Sequence, residues 1–257
     1  MQTNIGKQAA NNKSYYEAYE ERYRAAYAAG VDVWGHTAED EILAATLTNW
    51  VTDNDLRGKR VLEFACGEGG SGVILAQLGC EYHGVDLAPS ALEKAREKLA
   101  PYPNARVSQL DMVNEPLDEI YDAALDVMGL HMLVTDGDRA AYLQNAFRCL
   151  KPGAPMLFFR ESYRRNLESI PIASYEDWLM HTGDDYTTPQ LRQVQQNGMD
   201  LQVNIPLLPA RGMSERGYRR EMETAGFAVE DFVEMEIDVQ IAYAASIFAR
   251  KSSSAAR

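Results

Sequence analysis

From residue 60 to about 160 the chain alternates short apolar runs with amphipathic stretches, and no other feature constrains its fold as tightly. RVLEFA, CEYHGVDL, ARVSQLD, YDAALDVMGL and APMLFFRE read as strands. Between them GSGVILAQLG, PSALEKAREKLA and DRAAYLQNAFRCL read as helices, the second with proline in its first turn and the third stopped by KPG. Strands alternating with helices of about 10–15 residues predict βαβ units, a parallel sheet and right-handed crossovers. The rhythm breaks at about 162: residues 162–212 hold polar and aromatic residues, four prolines and no strand pattern that we read. It resumes with the amphipathic SERGYRREMETAGF and two further strands in AVEDFVEMEIDVQIAYAASIFARK, joined as an antiparallel hairpin at the sheet edge. The middle segment is therefore an insertion after the fifth strand, beside the strand carboxyl ends, where open α/β sheets bind ligands.

Ahead of this core, SYYEAYEERYRAAYAA predicts a helix over 14–29 with Tyr16, Tyr19, Tyr23 and Tyr27 on one face. A second helix is expected from about 37 to 51, opened by Thr37. Three domain pieces follow: a helical lid over 1–55, a core over 56–161 and 213–251, and a cap over 162–212.

The formal net charge of −13 disfavours a polyanionic partner, since nucleic-acid affinity rests on phosphate neutralisation by Lys and Arg. No run approaches the roughly 18–20 apolar residues of a membrane span, and MQTNIGKQAANNK lacks the apolar centre of a secretory signal. Cys66, Cys80 and Cys149 are odd in number and far apart, with no CxxC pair, and are expected to be buried thiols. Cytoplasmic residence is the expectation.

The chemistry gathers at the strand ends. VLEFACGEGGSG at 61–72 places Glu63, Gly67 and Gly69 after the first strand; Asp86 ends the second; Asp111 follows the third. An acid at the second strand end accepts both hydroxyls of a ribose. Gly67 and Gly69 let the backbone approach a ligand. Asp111 is placed to accept from an exocyclic amine, with Leu87 and Met112 sandwiching a base. Glu63 beside the loop suits a ligand bearing an ammonium group, met directly or through water, rather than a pyrophosphate. S-adenosylmethionine has an adenine, a ribose, an ammonium and a sulfonium and no phosphate, and the acid pattern fits it better than NAD.

In this order the blocks VLEFACGEGGSG, GVDLAPSALEKAR, QLDM and LHMLVTDGDRAAYLQNAFRCLKPGAPMLFF resemble the class I S-adenosylmethionine-dependent methyltransferases, small-molecule branch. The resemblance implies an α/β fold: a Rossmann-like seven-stranded, mostly parallel sheet with an antiparallel final hairpin, the cofactor lying across the first two strand ends. One position departs from the family's acid-x-Gly-x-Gly-x-Gly run, because Ala65 stands at the first glycine place. Alanine is accommodated in ordinary backbone regions; if the site needs positive φ, cofactor affinity falls. YEERY at 19–23 and VWGH at 33–36 resemble the lid helices of some members, which implies that Tyr19, Tyr23 and Trp34 close over the methionine end; the alternative is ordinary packing.

His131, after the fourth strand, is the candidate general base, or else a residue that shapes the pocket. Asp126 either orients a ligand or caps the following turn. In the insertion Tyr163, Tyr175, Trp178, His181 and Tyr186 offer aromatic walls, and Arg160, Arg164 and Arg211 are candidate clamps for an acceptor anion. No metal site is expected. The expected activity is methyl transfer to an oxygen or nitrogen of a small-molecule acceptor. Transfer to a peptide or RNA, or cofactor binding without turnover, are the competing readings; an NAD oxidoreductase is disfavoured by Glu63 beside the glycine loop. The oligomeric state stays open.

Overall fold

A computed structural model describes residues 14–183, 188–196, 199–205, 207–235 and 243–253. In chain order the elements are α1 (Ala18–Ala28), α2 (Glu41–Asp53), β1 (Arg60–Phe64), α3 (Gly70–Gln77), β2 (Glu81–Asp86), α4 (Pro89–Leu99), β3 (Ala105–Gln109) and β4 (Ala123–Val127). They continue with α5 (Asp136–Arg148), β5 (Pro155–Ser162), α6 (Tyr175–Thr182), β6 (Gln190–Gln196), β7 (Met199–Ile205), α7 (Glu215–Ala225), β8 (Phe227–Met235) and β9 (Ala244–Lys251). A 3-10 turn, Leu130–Met132, follows β4.

The sheet has seven strands in the order β3-β2-β1-β4-β5-β9-β8. All neighbours from β3 to β5 pair in parallel, and β9 runs antiparallel to both β5 and β8. The chain leaves β1 in one direction and returns on its other side at β4, so the topological switch point lies between those strands. Side chains alternate across them. Leu62, Phe64, Ala124, Met156 and Phe158 pack under α5 and α7, while Val61, Leu125, Leu157 and Phe159 pack under α2 and α3. With both faces covered, the central strands are nearly continuous apolar runs.

Caps agree with local chemistry. Thr135 and Ser214 accept N–H bonds at the starts of α5 and α7, and Gly226 ends α7 with φ 101°. The second helix begins at Glu41, not near 37: Asp40 accepts from Leu43 N at 3.0 Å and takes the cap that Thr37 was expected to supply.

The segment after β5 is more regular than its sequence suggested. It holds α6 and the antiparallel pair β6–β7. The signal was present in DLQVNI, where Leu201, Val203 and Ile205 alternate with polar residues, and Val203 and Ile205 bury against Ala26 and Val31 beside α1. Tyr163 and Met213 pair across the base of the segment, so it leaves and rejoins the core at one place. Tyr186 lies outside the described residues.

Candidate functional site

The carboxyl ends of β1 to β4, α1 and the β6–β7 hairpin enclose a cavity of about 750 Å³, within the range of small-molecule sites. The loop after β1 makes its floor. Ala65, Gly67 and Gly69 all have positive φ, at 51°, 51° and 75°. The condition attached to Ala65 is therefore met: an L-residue occupies a left-handed position that glycine takes without strain. Met128 (φ 65°), after β4, and Arg160 (φ 59°), at the β5 bulge, repeat the pattern. Ala65 and Met128 thus put strained non-glycine residues into the cavity wall after the adjacent strands β1 and β4, as backbone strain at functional sites does, whereas Arg160 lies within β5 and outside that wall.

Gly67 is where the backbone comes closest. A Cβ there would sit 2.8 Å from Tyr23 Oη. Its N–H donates to Asp86 Oδ2 at 2.8 Å, and Ala88 N donates to Oδ1 at 2.8 Å. Asp86 is thereby fixed at the cavity wall with lone pairs to spare for two hydroxyls, and burial raises its pKa against the pull of those N–H groups. Gly69 serves differently from expectation. It caps α3, and its missing Cβ faces Ala95 and Leu99 at 3.2 Å, so it permits helix packing rather than ligand approach.

Glu63 also departs from expectation. It is fully buried and does not line the cavity; Ser71 Oγ donates to one carboxylate oxygen and Tyr82 Oη to the other. Burial pushes its pKa up to about 7. Its route to the cavity is indirect, through Ser71 and then His36 Nε2, 3.3 Å from Ser71 Oγ. Of the two expected routes to a ligand ammonium, direct or through water, this burial favours the one through water or intervening side chains.

On the other side of Asp86, Leu87, Asp111 and Met112 all line the cavity. Asp111 closes a local turn, accepting from Val113 N at 2.9 Å, Asn114 N at 3.2 Å and Asn114 Nδ2 at 2.8 Å. Much of its accepting capacity is already taken by its own loop.

His131 lines the cavity near the end of β4, on the 3-10 turn. Its backbone N and its Nδ1 both lie 2.8 Å from Glu161 Oε2. Two contacts compete at Nδ1: Glu161 Oε2 at 2.8 Å calls for a proton there, and the Ser162 N–H at 3.3 Å calls for a lone pair; the shorter contact with the carboxylate favours the Nδ1–H tautomer, with the lone pair on Nε2. Arg139, fully buried on α5, holds the turn in place by donating to Leu130 O at 2.8 Å and Leu133 O at 3.0 Å, with Glu221 at 2.6 Å as its counter-ion. Glu161 and Arg139 went unread in the sequence. Glu161 ends FFRE in an apolar strand, where a carboxylate facing inward is itself the signal.

Asp126 is fully buried and does not line the cavity. Gly129 N donates to Oδ1 and Tyr142 Oη to Oδ2, so it caps the turn after β4 rather than touching a ligand. Burial, then Glu161, raises its pKa strongly.

Tyr19, Tyr23 and Trp34 line the cavity from the N-terminal side. Trp34 is fixed by its N–H to Glu68 Oε1 at 2.6 Å, and the Arg22 guanidinium lies over its ring at 4.8 Å. The four residues expected to hold an acceptor lie elsewhere. Arg160 pairs with Asp40, one bond at 2.9 Å, which ties β5 to α2. Arg211 is buried and consumed by Asp136, Val134 O and Ile170 O at 2.6–2.8 Å. Tyr163 donates to Glu234 at 2.9 Å, and Trp178 packs with Val134 and Ile172. Tyr163, Trp178, His181, Arg164 and Arg211 line a second, more open cavity of about 710 Å³; only Ala210 borders both. Tyr175 stacks on Tyr15 at 4.7 Å. Among the described residues no three His, Cys, Asp or Glu side chains are placed to share a metal ion, and no helix is long and apolar enough to cross a membrane.

Comparison with known proteins agrees with this geometry. Residues 61–153 match the family described as a methyltransferase domain. A putative methyltransferase of Bacillus subtilis is 30% identical over 132 residues, covering 51% of this chain and 53% of its own length. The chain thus spans about half the length of the curated relatives it matches. A 1,6-didemethyltoxoflavin-N1-methyltransferase of Burkholderia thailandensis, solved with its substrate and S-adenosylhomocysteine, superposes with TM-score 0.64 at 17% identity, over 97% of this chain and 98% of that one. An S-adenosylmethionine-bound amino pentose methyltransferase of Micromonospora echinaspora gives 0.59 at 18% identity, over 98% and 100%. With its switch-point cavity and strand order the chain has the fold of the class I S-adenosylmethionine-dependent methyltransferases, and residues 61–153 carry the match to the methyltransferase-domain family.

Proposed function

We propose that the protein transfers the methyl group of S-adenosylmethionine to an oxygen or nitrogen of a small-molecule acceptor. The observation that carries this reading is the enclosure, in one cavity, of Asp86 with Gly67 at one end and the Glu161-backed His131 at the other. Gly67 borders the cavity with Tyr23 Oη where a Cβ would stand, and Asp86 offers two oxygens already oriented by backbone N–H groups, so the residues present fit a nucleoside. S-adenosylmethionine supplies an electrophilic methyl on a sulfonium, whose departure as a neutral thioether needs little activation. The protein's work is then orientation and exclusion of water. His131 Nε2 takes the acceptor's proton, and Glu161 holds the ring in the tautomer that allows it.

In this proposal residues 1–55 form the lid and 162–212 the cap of the core formed by 56–161 and 213–251. Apolar contact between the hairpin and α1 supports joint closure over the ligands. A concave, half-open cavity of about 750 Å³ suits a small acceptor, and a net charge of −13 disfavours RNA. The same reading places the protein in the cytoplasm, with its three free, buried cysteines.

Incubation with methyl-labelled S-adenosylmethionine and a fractionated cell extract tests the proposal. Label should enter the small-molecule fraction and disappear with His131→Ala. Label confined to protein or RNA would contradict it, and S-adenosylhomocysteine binding with no transfer to any fraction would favour a non-catalytic module.

A further inference from the structure

Buried polar atoms lacking a partner are few in this fold, and three of them face the same cavity: Tyr19 Oη, Arg22 Nε and Arg192 Nε. Arg22 comes from α1 and Arg192 from β6, so two separate segments bring their guanidinium groups to one place. Neither makes an ion pair among the described residues. Arg22 has only the Trp34 ring beneath it, and the titratable groups that act on it are Tyr19, Arg192 and Tyr23, with no carboxylate among them. Burial and the neighbouring Arg192 both lower the Arg22 pKa, the direction expected of a desolvated cation facing a second one. The acids of the cavity are engaged elsewhere: Glu68 with Lys98, Tyr27 and Trp34, Asp86 with backbone N–H groups, and Asp111 with Asn114.

A protein with thirteen excess negative charges that keeps two neighbouring arginines without an ion pair among the described residues, each with a buried, unpartnered Nε, has a specific use for them. We propose that Tyr19, Arg22 and Arg192 form an oxyanion site, and that the acceptor methylated here carries a carboxylate or phosphate group that docks there. This rests on the methyltransferase reading above and adds the acceptor's charge class to it. The guanidinium forks match planar and tetrahedral oxyanions, and a Tyr hydroxyl supplies a further donor. Arg192 lies outside residues 61–153, the segment matched as the methyltransferase domain, on the inserted hairpin. The hairpin belongs to the segment proposed as the cap, and that placement assigns the site to the acceptor, while the nearness of Arg22 to Trp34 makes the cofactor's own carboxylate the alternative that the test must separate. Docking of an anion also removes the repulsion between the two arginines and so draws the hairpin onto α1. Of the anion clamps expected from sequence, Arg160 and Arg211 are committed to Asp40 and Asp136, and Arg164 lines the second cavity and donates to Tyr163 O, so none of the three lines this one.

The test uses the full chain saturated with S-adenosylhomocysteine, with inorganic phosphate as the probe and chloride at matched ionic strength as the control. Phosphate should raise Tm saturably, by about 3 °C at tenfold its dissociation constant. Arg192→Gln and Arg22→Gln should each abolish the rise or move its half-saturation at least tenfold, and Arg192→Lys should retain part of it. S-adenosylhomocysteine affinity should change less than threefold in Arg192→Gln. A phosphate effect equal to that of chloride, or unchanged in both Gln variants, overturns the proposal. So does a tenfold loss of S-adenosylhomocysteine affinity in Arg192→Gln that its decarboxylated analogue does not share, because the pair would then serve the cofactor's carboxylate. If wild type binds no S-adenosylhomocysteine yet shows the Arg-dependent phosphate effect, the methyltransferase reading fails and the anion site stands.

Discussion

Replacing Ala65 by glycine should stabilise the protein. Ala65 has φ 51° at the first turn after β1. An L-residue in that region costs roughly 1–2 kcal/mol through the clash of Cβ with the following carbonyl. Glycine relieves the clash and gives back about 0.5–1 kcal/mol through the greater freedom of the unfolded chain. The net expectation is a gain of about 0.5–1 kcal/mol, or about 2 °C in Tm for a chain of this size. Urea unfolding of Ala65→Gly against wild type reads the difference as a higher midpoint at unchanged slope. The strain is already present without ligand, so its cost falls on folding rather than on cofactor affinity, contrary to the expectation drawn from sequence, and S-adenosylhomocysteine affinity should stay within about twofold. A β-branched side chain tightens the same clash, and Ala65→Val should lose at least 1 kcal/mol, as an order of magnitude. If Ala65→Gly unfolds at lower urea than wild type, residue 65 is not left-handed in solution, and the reasoning about this loop is refuted.

Further substitutions probe other parts of the site. Gly67→Ala places a methyl 2.8 Å from Tyr23 Oη at positive φ, and should cost about 1–2 kcal/mol of stability with at least tenfold weaker S-adenosylhomocysteine binding by calorimetry. Glu63 titrates at about 7 in the fold, above its unfolded value, so its contribution is full below about pH 4.5 and is lost as pH rises through 7. Denaturation midpoints of Glu63→Gln measured from pH 5 to 8 should therefore lack a decline worth roughly 3 kcal/mol in wild type. Arg139→Met strips the counter-ion from Glu221 and the donors from Leu130 O and Leu133 O, and should cost about 3–5 kcal/mol, seen as a Tm lower by about 10 °C. Once an acceptor is identified, Glu161→Gln should lower kcat by about 10- to 100-fold at similar KM, with partial recovery in Glu161→Asp. A change in KM alone would make Glu161 a purely structural residue.

The alternation of strands and helices from 60 to 160 made the sheet and its strand ends legible, because buried parallel strands are apolar throughout and their helices carry ordinary caps. Asp86, Gly67, Leu87 and Met112 fall at the cavity because their places are set by chain position relative to strand ends. Glu63 and Asp126 occupy equivalent chain positions yet face the interior: strand alternation alone does not tell whether an acid meets a ligand or neighbouring hydroxyls such as Ser71, Tyr82 and Tyr142. The arginines show the same limit from the opposite direction. Whether a guanidinium is free depends on which acid lies across a long-range contact, and Asp40 is 120 residues from Arg160. The β6–β7 hairpin was missed because much of it is polar, its burial being confined to one face against α1.

The account turns on Asp86 as the anchor of a nucleoside cofactor. Isothermal titration of S-adenosylhomocysteine into wild type and Asp86→Asn measures that directly. Wild type should bind at about 10 μM or tighter, and the variant, deprived of the carboxylate that accepts the ribose hydroxyls, should bind about 10- to 100-fold more weakly while melting near the wild-type temperature. No heat from wild type, or equal affinity in both proteins, would contradict the assignment.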